Sequence, residues 1–210
     1  MNRKFNFSVG EFYHVYNRGV EKRIIFTCDE DYYRFIGLLY LANSEESFSF
    51  RDIAKGESSG QSLFDYKRGE SLVDIGSYCL MPNHFHLLLK EKKEGGISLF
   101  VSKVCTGYSM YFNKKYEHVG TLFQGPFGAT YLDSDNYLKY IYSYIHLNPV
   151  KLINSDWRET GISNLPKTKD FLANYKYSSY LDYLGISRSE GKILNKKVLN
   201  GLWNLGQQFP

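Results

Sequence analysis

The sequence predicts an α+β fold: a ferredoxin-like four-stranded antiparallel sheet with helices on one face, followed by a small C-terminal helical tail. Two observations carry this. Segments of period-2 and helical apolar spacing alternate in the order strand, helix, strand, strand, helix, strand, helix. The second and third strands are separated only by Pro82-Asn83, a turn that makes them an antiparallel hairpin.

Phe12 to Tyr16 reads as the first strand, closed by the turn signal Asn17-Arg18-Gly19. Asp29 to Ala42 follows with Tyr33, Ile36, Leu39 and Tyr40 at helical spacing. From Asn43 to Ser71 the chain turns polar and rich in Gly and Ser, too long for an ordinary connection, so 43–71 is expected to be a mobile insertion. Leu72 to Met81 is the second strand and His84 to Lys90 its hairpin partner. Ile97, Phe100, Val101, Val104, Tyr108 and Phe112 then lie on one helical face, a further strand runs from Phe127 to Leu132, and Asp133 or Ser134 caps a tyrosine-rich helix from Asp135. Beyond Asn154, apolar groups at Trp157, Tyr175 to Leu184 and Val198 to Leu205 are too short to fold alone and are expected to dock as small helices. The expected division is therefore 1–155 as one domain and 156–210 as a tail packed on it.

Composition narrows the functional classes. An aromatic content of 17%, with 19 Tyr and 15 Phe, leaves many rings partly exposed, each expected first as core or rim packing and otherwise as a surface for stacking on bases. A net charge of +4 permits an anionic partner without requiring one. Cys28, Cys79 and Cys105 are an odd number without Cys-x-x-Cys spacing, which argues against a disulfide framework and fits a reducing compartment. The first residues hold no apolar run long enough for a secretion signal or membrane span, so a cytoplasmic location without membrane contact is expected.

His84-Phe85-His86 carries the chemistry. On a strand, residues i and i+2 share a face, so the two imidazoles point together while Phe85, Leu87 and Leu89 point into a core. The competing reading is a pair of core histidines. A third metal ligand has to come from elsewhere, and the tyrosine helix offers one. At about 100° per residue, Leu138, Ile141, Tyr142 and Ile145 form its buried stripe, while Tyr137, Tyr140, Tyr144, Asn148 and Lys151 form a flanking one. Tyr144 and Asn148 are one turn apart, whereas His146 projects away from them. An amide oxygen beside two imidazoles points to Mg²⁺ or Mn²⁺. Pro149 is expected to bend or end the helix at Asn148.

Four ordered blocks, Tyr13 to Gly19, Tyr78 to Leu89, Tyr111 to Tyr116 followed by Leu122 to Gly125, and Tyr144 to Lys151, resemble the HUH-type single-tyrosine transposases, most nearly the REP-associated tyrosine transposases of bacteria. The resemblance covers residues 12 to 151, and the stretch Tyr177 to Gly185 is similar to the tail such proteins often carry. It implies that His84 and His86 are the metal pair, Asn148 the amide ligand and Tyr144 the nucleophile. It further implies metal-dependent cleavage and rejoining of single-stranded, hairpin-bearing DNA through a 5′-phosphotyrosine, by a mobile transposase or a domesticated enzyme. Two departures stand out: Pro126 and Gly128 occupy positions where relatives commonly have basic residues, and the 43–71 insertion is long.

Arg18, Lys22, Arg23, Lys103, Lys114, Lys115 and Lys151 are the cations expected near a phosphate backbone, with a solvated face as the alternative for each. Tyr108 and Tyr111 are expected in or beside the core, Tyr137 and Tyr140 are minor rivals to Tyr144, and His14 is either structural or orients a ligand. Two other functions stay open: a non-catalytic DNA-binding protein or repressor on the same fold, and a metal-dependent phosphodiesterase that uses water. Monomer and homodimer are equally compatible with the sequence.

Overall fold

The computed structural model describes residues 6–48, 53 and 62–200. Four strands, β1 (Phe12–Arg18), β2 (Val73–Met81), β3 (His84–Glu91) and β4 (Gly128–Tyr131), form one antiparallel sheet in the order β2-β3-β1-β4. This is the expected ferredoxin-like arrangement. Strand β1 runs through Asn17 and Arg18 rather than turning there, because these residues pair with Phe85 and His84.

The two faces of the sheet are covered differently. Tyr13, Val15, Phe85, Leu87 and Leu89 point to α1 (Asp29–Leu41) and α2 (Gly96–Tyr116), sharing a core with Phe35, Ile36, Phe100 and Tyr108. Tyr33 is exposed, so the inner side of α1 is set by Tyr32, Phe35 and Ile36 instead. The other face receives α3 (Asp135–Leu147), whose Leu138, Ile141, Tyr142 and Ile145 pack with Cys79, Met81 and Leu88. The expectation of helices on one face thus holds for α1 and α2 and is corrected for α3. The reason lies in the pleat: the side chains alternating with the first core include Leu88 and Cys79, which are apolar and need a cover of their own. That cover is the tyrosine helix, and it brings the helix over the face that carries the histidines.

Ser134 caps α3 by accepting a bond from the Tyr137 amide. At its other end the helix does not swing away before Pro149. Asn148 keeps helical torsions (φ −55°, ψ −39°), and the chain tightens into a 3₁₀ turn over Asn148–Leu152. Three short helices follow: α4 (Trp157–Thr160), α5 (Leu165–Asn174) and α6 (Tyr180–Tyr183). The segment around Ser178 bridges to Cys79, and Leu80 N and Tyr78 O bond to Tyr177 O and Ser179 N, so the tail covers the outer edge of β2. An ion pair between Arg188 and the buried Asp182 (2.5 Å) fastens it further.

The interior of the 43–71 segment lies mostly outside the described residues, as do residues 201–210. Its described ends are packed: Asn43 is buried and bonds the Val73 backbone, and Arg68 donates to Tyr40 O and Asn43 O. Among the described residues no helix is long and apolar enough to cross a membrane.

Candidate active site

His84, His86, His14 and Tyr16 share one face of the sheet because β1 and β3 pair in register, Tyr16 opposite His86 and Arg18 opposite His84. The imidazoles of His84 and His86 lie edge to face with centroids 4.9 Å apart. Both are held by a second group. Asn83 Nδ2 donates to Lys22 O, which fixes its amide so that Oδ1 accepts from His84 Nδ1 at 2.6 Å. His86 Nδ1 lies 2.9 Å from His14 Nε2. These contacts occupy the Nδ1 atoms and leave each Nε2 directed elsewhere. His86 Nε2 is buried and has no partner.

Helix α3 supplies the opposite wall. The Tyr144 ring stands edge-on to His86 and His14, at 5.3 and 5.7 Å between centroids. One turn on, Asn148 is fully buried, and neither its Oδ1 nor its Nδ2 has a hydrogen-bond partner. Such orphaned buried polar atoms are costly unless something else binds them. Asn148 is near enough to His84 to favour the charged form of that ring, but burial dominates and holds His84 down at about 4. Burial also lowers His14 to about 4 and His86 well below the usual histidine range. All three rings are therefore neutral near pH 7, the state a metal ligand requires.

These atoms fit a divalent cation: two imidazole Nε2 atoms and one amide oxygen, with the imidazoles braced through Nδ1. No group of three or more His, Cys, Asp or Glu among the described residues could hold one. His146 is excluded by direction. It is fully buried on the far side of α3, with Nε2 2.8 Å from Ser179 Oγ.

An open cleft of about 300 Å³ runs between Tyr16 and Thr130 of the sheet and Tyr140 and Tyr144 of the helix, with His14 and His86 in its lining. Tyr16 and Tyr140 are 41% and 61% exposed, enough to offer a ring face to a ligand. Gly128 makes the position of Tyr16 possible, since a Cβ at Gly128 would fall 2.5 Å from that ring. This is one consequence of a glycine where a basic residue was anticipated.

The predicted cations divide into two groups. Arg18 and Lys151 carry charge that acts on His84, and Lys22 and Arg23 are exposed in the segment that grips the Pro82-Asn83 turn. Gly19 begins that segment, where a Cβ would meet Arg23 O at 2.3 Å. The other three lie on α2, beneath the opposite face of the sheet. Lys103 donates to Ser44 O and Glu46 O, Lys115 is held by Glu30 and Asp31, and Lys114 is exposed there. The structure does not bring these three to the histidines. Tyr108 is buried and donates to Ile25 O, and Tyr111 donates to Asp31, so neither faces the cleft.

Tyr16 and Arg158 were not legible in advance, whereas His14 was one of two open alternatives, structural or orienting, and the structure sets it against His86. Arg158 gave no signal at all, since it follows the tyrosine helix by a stretch of irregular chain.

Residues 55–148 match the family model described as IS200-like transposase, a stretch that includes His84, His86, Tyr144 and Asn148. No curated protein matches the chain. The fold is similar to a solved structure described as a REP-associated tyrosine transposase bound to a REP hairpin. The TM-score is 0.50 at 12% identity, covering 100% of this chain and 98% of that one.

Proposed function

We propose that this chain, matching the IS200-like transposases over residues 55–148, cleaves and rejoins single-stranded DNA through a covalent 5′-phosphotyrosine on Tyr144. The observation that carries this reading is the juxtaposition of the Tyr144 ring with His86, beside the partnerless Nε2 of His86 and the partnerless amide of buried Asn148.

His84, His86 and Asn148 would hold Mg²⁺ or Mn²⁺, which when bound draws charge from the scissile phosphate. Tyr144 Oη attacks phosphorus, the bond to the 3′ oxygen breaks, and a free 3′-OH leaves. The phenol gives up its proton and the leaving oxygen takes one, so charge is conserved. The phosphodiester energy stays in the phosphotyrosine, and a 3′-OH can reverse the step without ATP. His14 holds His86 in one tautomer: if His86 Nδ1 donates to His14 Nε2, the lone pair of His86 Nε2 faces the cleft. Tyr16 and Tyr140 offer stacking surfaces for unpaired bases, and Arg18, Lys22, Arg23 and Lys151 provide charge for the phosphate backbone. A hairpin beside the single strand is the substrate favoured by the likeness to the hairpin-bound structure.

The test uses an end-labelled pool of hairpin oligonucleotides with randomised single-stranded flanks, incubated with Mg²⁺ or Mn²⁺ and run on a denaturing gel. The wild-type protein is expected to give a slow protein–DNA band that EDTA abolishes and Tyr144→Phe does not form. Cleavage without an adduct would instead favour a water-activating phosphodiesterase, and binding without cleavage a DNA-binding protein.

A further inference from the structure

The reaction passes through a transition state with negative charge spread over the phosphoryl oxygens, more than one metal ion would contact. Preorganised donors aimed at that charge are the usual large contribution to catalysis. Arg158, in α4, is placed to supply one. Its guanidinium carbon lies 4.4 Å from the centre of the Tyr144 ring, and its charge is among those felt at both His84 and His86.

Several other arginines already donate to protein acceptors. Arg18 bonds Gln124, Arg68 bonds the carbonyls of Tyr40 and Asn43, and Arg188 bonds Asp182 and Ser178 O. Among the described residues Arg158 has no carboxylate or carbonyl partner; its contacts are the rings of Tyr144 and, at 5.8 Å, Trp157. Its planar fork of donors is thus open, beside the candidate nucleophile, on an exposed side chain.

We propose that Arg158 is a catalytic residue, its guanidinium binding a non-bridging oxygen of the scissile phosphate while Tyr144 attacks. This rests on the reading of Tyr144 given above. The Tyr144–phosphorus bond forms and the bond from phosphorus to the 3′ oxygen breaks, while the guanidinium keeps its protons throughout and serves only as a charged donor. Arg158 lies beyond residue 148, where the family match ends, so the segment after the tyrosine helix would complete the site as well as cover the sheet edge.

The experiment measures single-turnover adduct formation by the full chain on two oligonucleotides, chosen after the wild-type cleavage position is mapped. One carries the ordinary phosphodiester and the other a methylphosphonate at that position, which removes the negative charge. Arg158→Ala is expected to slow adduct formation on the phosphodiester about 100-fold, with little change in KM. Added guanidinium ion should restore part of the rate, and on the methylphosphonate the two proteins should differ far less. Arg158→Lys should recover only part, because an ammonium lacks the fork. Wild-type rates in Arg158→Ala, or an equal loss on both substrates without guanidinium rescue, would overturn the proposal and leave Arg158 a packing residue. The reading of Tyr144 would then stand. Failure of the wild-type protein to form any adduct, or an adduct that persists in Tyr144→Phe, would overturn that reading and the proposal with it.

Discussion

His14 Nε2 and His86 Nδ1 lie 2.9 Å apart across neighbouring strands, which ties the orientation of one imidazole to the tautomer of the other. Removing His14 frees His86 to rotate and to choose either tautomer. His14→Ala should therefore weaken Mn²⁺ binding about 10- to 100-fold, measured by the loss of the free-ion electron paramagnetic resonance signal on titration. Unchanged affinity would show that His14 only fills space.

Acid should destabilise the metal-free protein well above the range in which its carboxylates titrate. Burial lowers His14 and His84 to about 4 and His146 to about 3, and His86 is lowered as well. Below pH 6.5 the unfolded chain takes up protons that the folded chain refuses, so stability rises with pH and falls as pH drops from 6.5 toward 4. Each such histidine costs up to roughly 1.4 kcal/mol per pH unit in that window. Urea unfolding at pH 7 and pH 5 checks this, and equal midpoints would contradict it.

Gly128→Ala tests how Tyr16 is held. The added methyl meets the ring at 2.5 Å, so the ring or the short strand β4 has to move, at a cost of about 1–3 kcal/mol. Affinity for single-stranded DNA should fall with it if Tyr16 is a stacking surface. Fluorescence anisotropy on this variant and on Tyr16→Ala should show the same direction of change; full affinity in both would remove Tyr16 from the interface.

His146→Ala tests whether the one histidine of α3 is structural. The ring is fully buried and bonded to Ser179, so its loss should lower stability by about 2–4 kcal/mol. Mn²⁺ affinity and the cleavage position should not change, since the side chain points away from His84 and His86. A large loss of metal affinity at a temperature where the variant stays folded would contradict this geometry.

What the sequence disclosed follows from periodicity. The i, i+2 relation of His84 and His86 and the i, i+4 relation of Tyr144 and Asn148 are properties of a strand and a helix, and one member of each pair, His86 and Tyr144, lines the cleft. The order of elements likewise gave the sheet. Relations across the chain were not legible. That α3 lies on the other face from α1 and α2 depends on which side of the sheet still needed burial after the first core formed. Lys103 and Lys115 read as free cations because the acidic and carbonyl groups that hold them, at Glu30, Asp31, Ser44 and Glu46, come from a distant part of the chain. Arg158 reaches Tyr144 only because the 3₁₀ turn after Asn148 folds the following segment back.

The central claim is that Tyr144 is the residue joined to DNA, and peptide mapping of the adduct tests it most directly. Wild-type protein reacted with the labelled oligonucleotide pool, digested with nuclease and protease, should yield a mass-shifted peptide whose fragmentation places a nucleotide 5′-phosphate on Tyr144. The same peptide should be unmodified in His84→Ala, where the metal site is lost while the phenol remains. A modified Tyr137, Tyr140 or Tyr16 in place of Tyr144 would contradict the account.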